Sequence, residues 1–303
     1  MTECTLSSAP AEPVRTPNIS VVIPTHRDRG YLASTLRSLL PQLRAADHVY
    51  LCANGCTEEY LRTLATLASA QVTVLESPVA GIAFARNFGA MKSDGAFLLF
   101  LDDDDELAPD ALEVLREALA TDPAIVGVTG DVRTISSQGE RDTGGVLTDF
   151  AAFEWERLLG GPPTASMGSA LIRRSAYLAV AGLDETVAPA DDWDLWLKLA
   201  RIGKIVGLRR VTLRYRLHEH NASLNVSLMT QQALAVFRRH ELAGESSASA
   251  RRRALARVRR WYVPRLARAS LTQARQLNLV ASTRSIAAVL ALYRATLRGW
   301  LPR

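Results

Sequence analysis

The chain has 303 residues and a net charge of +5, with 48% hydrophobic and 22% charged residues. This composition is that of a globular protein with one large domain or two small ones, and it excludes a fibrous or wholly disordered chain. No run reaches the roughly 18 uncharged apolar residues that a membrane-spanning helix requires, so we expect none.

The two ends of the chain differ from its middle. Residues 1–17 hold three prolines and no apolar period, which predicts a disordered leader; they lack the cationic start and apolar run of a signal peptide. Residues 226–303 hold fifteen Arg and two Glu, a charge of +13 that leaves −8 for the rest. The three cysteines (Cys4, Cys52 and Cys56) are predicted to be reduced thiols of a cytoplasmic protein.

Apolar strands alternate with amphipathic helices through the first hundred residues. The strands are predicted at 19–23, 48–52, 72–75 and 96–101, and the helices at 32–40, 57–67 and 81–91. This alternation predicts an α/β fold, in which helices cover both faces of a mostly parallel sheet. Such sheets bind ligands at the carboxyl ends of their strands.

The pattern is less regular beyond residue 109. It predicts a helix over 111–120, a strand over 125–130, a β-ribbon or loop over 131–150, a strand over 169–172, a helix over 195–202 and a strand over 211–215. From residue 226 onwards the pattern is helical only.

An acidic run, Asp102 to Glu106, follows the fourth predicted strand directly. Adjacent aspartates repel one another, and a hard cation such as Mg²⁺ or Mn²⁺ relieves that repulsion. If the segment is extended, Asp102 and Asp104 point the same way and can face one site. The alternative is a solvated acidic loop that opens the next helix.

Two further stretches are candidates for chemistry. Asp191 and Asp192 precede an amphipathic helix. Their carboxylates either stabilise the N-terminus of this helix or supply a general base for an acceptor hydroxyl. The segment from Gly81 to Gly89 is rich in small residues, so it serves either close packing or phosphate binding through Arg86.

Five segments stand out, in this order: Val21-Val22-Ile23-Pro24-Thr25-His26, Gly81 with Ala85-Arg86-Asn87-Phe88-Gly89, Leu101-Asp102-Asp103-Asp104-Asp105, Gly182-Leu183-Asp184-Glu185 with Asp191-Asp192-Trp193-Asp194-Leu195-Trp196, and Tyr215-Arg216-Leu217-His218. Together they resemble the motifs of family 2 of the inverting glycosyltransferases, which have the GT-A fold. The resemblance covers residues 18–225, which we expect to be the catalytic domain, followed by a basic helical region over 226–303.

The resemblance implies a role for each matching residue. Asp192 is the expected catalytic base. The metal ligands are expected among Asp102, Asp104 and His218, although His218 is equally well interpreted as a structural histidine. The nucleotide-sugar is expected to contact Pro24, Thr25, His26, Arg27, Asn54, Arg86, Asp102, Asp103, Gly168, Ser169 and Asp191.

The chain departs from the family after its second strand. The family usually has Asp-Asp-Gly-Ser-Thr-Asp there, whereas this chain has Ala53-Asn54-Gly55-Cys56-Thr57-Glu58. The first Asp often reads a uracil-like base, so the base remains open among uridine, thymidine and guanosine. Asn54 is a candidate substitute for part of that recognition.

The resemblance therefore implies an inverting glycosyltransferase that uses Mn²⁺ or Mg²⁺ and a nucleoside-diphosphate-sugar. Its acceptor is an unidentified hydroxyl on a glycan, a lipid-linked intermediate or a small metabolite. Two alternatives remain: a non-catalytic nucleotide-sugar-binding module and a sugar nucleotidyltransferase. The absence of a glycine-rich loop after the first strand counts against the nucleotidyltransferase.

The Arg-rich tail has three interpretations: contact with an anionic membrane surface, binding of an acidic partner, or packing as a helical lid or homodimer contact. Nucleic acid is not expected, because no recognition motif accompanies the arginines. The expected location is the cytoplasm, with or without peripheral membrane contact.

Overall fold

A computed structural model describes residues 17–138, 142–146, 153–243, 247–275, 283 and 286–291, with the backbone alone over 142–146. The predicted leader therefore lies outside the described residues, apart from Pro17, as does part of the predicted ribbon over 131–150. The described strands are β1 (Ile19–Thr25), β2 (His48–Asn54), β3 (Val72–Ser77), β4 (Phe97–Phe100), β5 (Glu106–Leu107), β6 (Ile125–Ile135), β7 (Asp142–Val146), β8 (Ala170–Arg173) and β9 (Lys204–Arg216).

The described α-helices agree closely with the predicted ones in the first half of the chain. They are α1 (Leu32–Leu39), α2 (Glu58–Ala65), α3 (Ile82–Lys92), α4 (Ala111–Ala120), α5 (Trp155–Leu158), α6 (Arg174–Ala179), α7 (Asp191–Leu199), α8 (Val226–Ala243) and α9 (Ala248–Arg275). Thr57 caps α2, and its side chain accepts a hydrogen bond from Tyr60 N at 3.3 Å.

The described strands form one mixed sheet in the order β3-β2-β1-β4-β8-β6-β9-β5, with β7 paired to β6. The four strands from β3 to β4 are parallel, whereas β8 is antiparallel to both β4 and β6. Because β8 is antiparallel to both of its neighbours, β6 runs in the same direction as β4. Strand β9 is parallel to β6 and therefore runs in this direction as well. The carboxyl ends of β1, β2, β4 and β9 therefore lie at one edge of the sheet.

Side chains alternate between two buried clusters, one on each face of the sheet. Val22, Leu98 and Phe100 belong to the cluster that α3, α7, α8 and α9 cover. Val21 and Leu99 belong to the cluster that α1, α2 and α4 cover. The prediction of a sheet covered on both faces is confirmed.

Helix α3 packs closely on the sheet because Gly89 has no side chain. A Cβ at this position would lie 2.5 Å from Val22 Cγ1 and 2.7 Å from Cys52 Sγ. This close approach fixes α3 against β1 and β2 and holds Arg86 at the carboxyl edge of the sheet.

The helices after residue 225 pack on the same body. Ala233 and Phe237 of α8 belong to the buried cluster that also contains α7. Helix α9 lies against α5 and α8. The predicted boundary between a catalytic domain and a separate C-terminal region at residue 225 stays a prediction. None of the described helices has the length and apolarity needed to cross a membrane.

Several predicted elements have different bounds in the structure; the strand predicted over 125–130, for example, extends to Ile135. The helix predicted from residue 195 begins at Asp191, because acidic side chains stabilise a first helical turn. The strand predicted at 211–215 is the end of β9, which begins at Lys204. Ser169 belongs to a short 3₁₀ turn (Met167–Ser169) before β8.

Candidate functional site

The predicted site residues lie along the carboxyl edge of the sheet. Pro24 and Thr25 end β1, Asn54 ends β2, Asp102 follows β4 and His218 follows β9. Because β8 is antiparallel, its amino end also lies at this edge, directly after Gly168 and Ser169. The topology thus brings together segments that are up to two hundred residues apart in sequence.

The acidic run forms a turn rather than the predicted extended segment. Asp105 N donates to Asp102 O at 3.3 Å, which closes the turn. Carboxylate oxygens of Asp102, Asp104 and Asp105 lie within 4.8 Å of one another. The turn, rather than an extended backbone, brings the carboxylates of Asp102 and Asp104 together, and it places the Asp105 carboxylate beside them.

The chemistry of this cluster suits a hard divalent cation. Asp105 is fully buried; its Oδ1 accepts from Arg216 N at 2.9 Å, and its Oδ2 has no hydrogen-bond partner among the described residues. Burial, followed by the nearby Asp102 and Asp104 carboxylates, raises the pKa of Asp105 well above its usual range. Three carboxylates with an unsatisfied oxygen are a donor set that Mg²⁺ and Mn²⁺ prefer.

His218 lies against the acidic turn. Its Nε2 is 2.8 Å from Asp104 Oδ2, and its ring stacks on Tyr31 with 5.3 Å between centroids. The Arg216 guanidinium lies over the Tyr31 ring, 4.9 Å from the ring centroid. These contacts fix the imidazole where one nitrogen adjoins the carboxylates.

Asp103 points away from the other three aspartates and contacts β1. Its Oδ2 accepts from Thr25 Oγ1 at 2.5 Å, and Thr25 Oγ1 is 2.8 Å from Tyr60 Oη. Burial, only partly offset by the Thr25 hydrogen bond, raises the pKa of Asp103 to about 7. The predicted donor residues Thr25 and Asp103 are therefore in direct contact.

Arg86 lies between the two acidic motifs. One end of its buried guanidinium donates to Asp102 Oδ1, and Nη1 is 3.8 Å from Asp191 Oδ2. Burial lowers the pKa of Arg86, but the Asp102 and Asp191 carboxylates outweigh burial and raise it above its usual value. Its Nε has no hydrogen-bond partner among the described residues.

Asp191 and Asp192 form the first turn of α7. Asp191 is buried, whereas Asp192 is half-buried and accepts from Trp193 N at 2.7 Å. Burial, followed by the charge of Asp191, raises the pKa of Asp192 to about 7. A carboxylate with this pKa takes up a proton readily near neutral pH.

Residues 24–27, where contacts with the nucleotide are predicted, are held against the end of β2. His26 Nδ1 is 2.7 Å from Asn54 O, and Asn54 Oδ1 accepts from Gly81 N at 2.6 Å. Asn54 thus joins the second strand to the start of α3. His26 and Arg27 are exposed at this edge.

Gly168 and Ser169 are buried beneath the same edge. The Ser169 hydroxyl is 2.5 Å from Thr164 Oγ1 and also donates to Ser166 O at 2.9 Å. Its side chain is thus engaged within the protein, and a contact of this pair with a sugar stays a prediction.

Sequence reasoning missed three contributors to this site: Asp105, Tyr31 and Arg216. Asp105 belongs to the quoted acidic run, but its burial depends on β9. Arg216 belongs to the quoted segment that ends at His218, and Tyr31 directly precedes the helix predicted over 32–40; no sequence pattern singles out either side chain.

The family model of glycosyl transferase family 2 matches residues 20–180, which is more than half of the chain. The chain belongs to glycosyl transferase family 2. The chondroitin synthase of Pasteurella multocida (strain Pm70) is 28% identical to it over 220 residues, 72% of this chain and 22% of that protein. The hyaluronan synthase of Pasteurella multocida is 27% identical over 69% of this chain and 21% of that protein. The family 2 chain thus spans about a fifth of the length of these relatives.

Two solved structures share the GT-A fold with this family 2 chain. S. aureus TarS 1–349 in complex with UDP-GlcNAc aligns with a TM-score of 0.58 and 13% identity, over 94% of this chain and 93% of that one. The mannosyltransferase PcManGT from Pyrobaculum calidifontis, in complex with GDP-Man and Mn²⁺, aligns with a TM-score of 0.60 and 17% identity, over 94% and 88%. At these identities the likeness establishes the fold.

Proposed function

We propose that this family 2 protein is an inverting glycosyltransferase that moves a sugar from a nucleoside-diphosphate-sugar onto an acceptor hydroxyl. The observation that carries this proposal is the position of Arg86 between Asp102 of the acidic turn and Asp191 of α7. One guanidinium therefore joins the candidate diphosphate and metal side of the site to Asp191, the neighbour of the candidate base Asp192.

Asp102 and Asp104 would hold the cation, with His218 as a further ligand and Asp105 behind them. When bound, Mn²⁺ or Mg²⁺ supplies positive charge that stabilises the departing diphosphate. The unpaired Nε of buried Arg86 is a further donor toward a phosphate oxygen. Complexes of two GT-A structures with UDP-GlcNAc, and with GDP-Man and Mn²⁺, support this choice of ligand class.

Asp192 would act as the general base. It accepts the proton of the acceptor hydroxyl while the hydroxyl oxygen bonds to the anomeric carbon and the bond to the diphosphate oxygen breaks. Attack from the face opposite the leaving group inverts the anomeric configuration. The raised pKa of Asp192 supports this role, since a base whose pKa lies near neutral pH transfers protons efficiently.

The donor site is tested first, by the melting temperature of the protein with UDP, GDP, dTDP or CDP, each with and without Mn²⁺. A ligand that binds the native state raises the melting temperature. We expect a Mn²⁺-dependent rise with one nucleotide, which also identifies the base left open by Ala53. No rise with any of the four nucleotides would contradict the proposal. The cytoplasmic location expected from the sequence stays a prediction.

A further inference from the structure

Helix α9 has an unusual charge for a helix that packs on a protein body. Residues 248–275 contain nine arginines and no acidic residue. The proposed transfer reaction uses none of these arginines, so their concentration in one helix requires a separate explanation.

Many of the exposed residues of α9 recur at helical spacing and share one side. We define the α9 arginine face as the exposed residues Arg253, Arg257, Arg260, Trp261, Pro264, Arg265, Arg268 and Leu271. Steps of three and four residues link most of these side chains into one stripe, which the adjacent pairs Arg260–Trp261 and Pro264–Arg265 widen. From Arg253 to Leu271 the stripe is about 27 Å long, at 1.5 Å per residue.

The opposite side of α9 is anchored to the protein. Ala254, Leu255, Val258 and Leu266 are buried in the cluster that includes α7 and α8. Because the apolar side is already covered, the arginine face is presented outwards. At its amino end, Arg253 Nη2 lies 3.8 Å from Glu156 Oε2 and Arg257 donates to Arg157 O at 3.4 Å.

Two large apolar side chains interrupt the charge on this face. Trp261 is 53% exposed and Leu271 is 64% exposed. The Arg265 guanidinium lies 3.7 Å from the Trp261 ring centroid, so the indole is held beside a cation. Tryptophan and arginine side by side are typical of surfaces that contact lipid headgroups, because the ring is apolar at one end and polar at the other.

We propose that the α9 arginine face docks the protein on a bilayer that contains anionic lipids. The arginines contact the headgroup phosphates, and Trp261 and Leu271 enter the headgroup layer. This contact is peripheral, since the face combines charge complementarity with only two large apolar side chains.

A second copy of the chain fits this face less well. In a symmetric dimer the same arginines would meet one another and repel. An acidic protein would satisfy the charge, but it gives no reason for exposed Trp261 and Leu271 between the arginines. The bilayer accounts for both features.

The test is co-sedimentation of the full chain with vesicles of phosphatidylcholine alone or of phosphatidylcholine mixed with phosphatidylglycerol. We expect binding to the anionic vesicles only, and loss of binding at high salt because screening weakens the charge attraction. The double variant Arg260→Glu/Arg268→Glu should bind at least about tenfold more weakly. Trp261→Ala should weaken binding to the same vesicles and leave its salt dependence in place.

A matched control reverses two exposed arginines outside α9, in the variant Arg37→Glu/Arg210→Glu. It has the same net charge as the test variant, so equal binding losses would show a general charge effect and overturn the proposal. Failure of the unaltered chain to bind anionic vesicles at low salt would also overturn it. So would sedimentation velocity that shows a dimer of the unaltered chain and a monomer of the Arg260→Glu/Arg268→Glu variant. Nucleotide-induced melting shifts should be unchanged in the α9 variants, which separates this proposal from the donor site.

Discussion

His218 and Asp104 are in contact although they are 114 positions apart in the sequence, with 2.8 Å between Nε2 and Oδ2. The contact exists because β9 runs parallel to β6 and ends at the same edge as β4. It joins the last family motif to the acidic turn and makes the imidazole a candidate metal ligand.

If His218 is a metal ligand, His218→Ala should lower the apparent Mn²⁺ affinity about tenfold, so nucleotide binding should need more Mn²⁺. The measurement is a Mn²⁺ titration of the melting temperature at fixed nucleotide. His48→Ala is the control, because His48 begins β2 at the opposite edge of the sheet, where its Nε2 is 2.8 Å from Thr73 Oγ1. Equal losses with and without Mn²⁺ would instead indicate a structural histidine.

Asp192→Asn should lower turnover by about 10²–10⁴-fold, because an amide cannot take up the acceptor proton. Nucleotide binding should change little. The assay follows nucleoside diphosphate released from the donor that the melting experiments select. Asp110→Asn is a suitable control, since Asp110 is exposed and asparagine tolerates its positive φ of 60°.

The pH dependence of turnover provides an independent check on Asp192. The base must be unprotonated to act, and its pKa is raised to about 7. We therefore expect the rate to fall as the pH drops through about 7. A rate that stays constant down to pH values near the usual aspartate pKa of about 4 would contradict the assignment.

Arg86→Met should lower the free energy of unfolding by about 3–5 kcal/mol, because it leaves the Asp102 and Asp191 carboxylates without their common partner. Urea denaturation measures this loss. Arg44→Met is the matched control: Arg44 pairs with Glu113 at 2.6 Å, but both side chains are exposed. Such surface pairs contribute about 0–1 kcal/mol.

Another buried carboxylate, Asp194, joins α7 to α8. Its Oδ1 is 2.9 Å from His240 Nε2, and its Oδ2 is 3.0 Å from Lys198 Nζ. Burial raises the pKa of Asp194, but the His240 hydrogen bond and the Lys198 charge outweigh burial and lower it to about 2. The ionised form is therefore favoured in the folded state.

Asp194→Asn should destabilise the fold by about 3 kcal/mol at neutral pH. The lowered pKa means that the stabilisation is complete above the unfolded-state value of about 4 and is lost as the pH falls toward about 2. Denaturation midpoints from pH 6 down to pH 2 should thus converge for the two proteins. Asp122→Asn removes a surface pair with Lys204 and should leave the midpoint at pH 6 nearly unchanged.

Much of the fold followed from local patterns. Continuous apolar strands such as Phe97–Phe100 require cover on both faces, and the acidic run directly after that strand marks the ligand edge. The family motifs then indicated Asp102, Asp104, Asp192 and His218. These inferences need only the neighbouring residues in the chain and the general properties of parallel sheets.

The amino-acid sequence was enough to predict the alternation of strands and helices, the family and the charge of the C-terminal region. The folded chain was needed to reveal the turn that gathers Asp102, Asp104 and Asp105, the position of Arg86 between two acidic motifs, and the exposed face of α9. Local propensity sets the period of side chains along an element. Strand order and packing set which distant side chains meet, how far they are removed from water and therefore how they ionise.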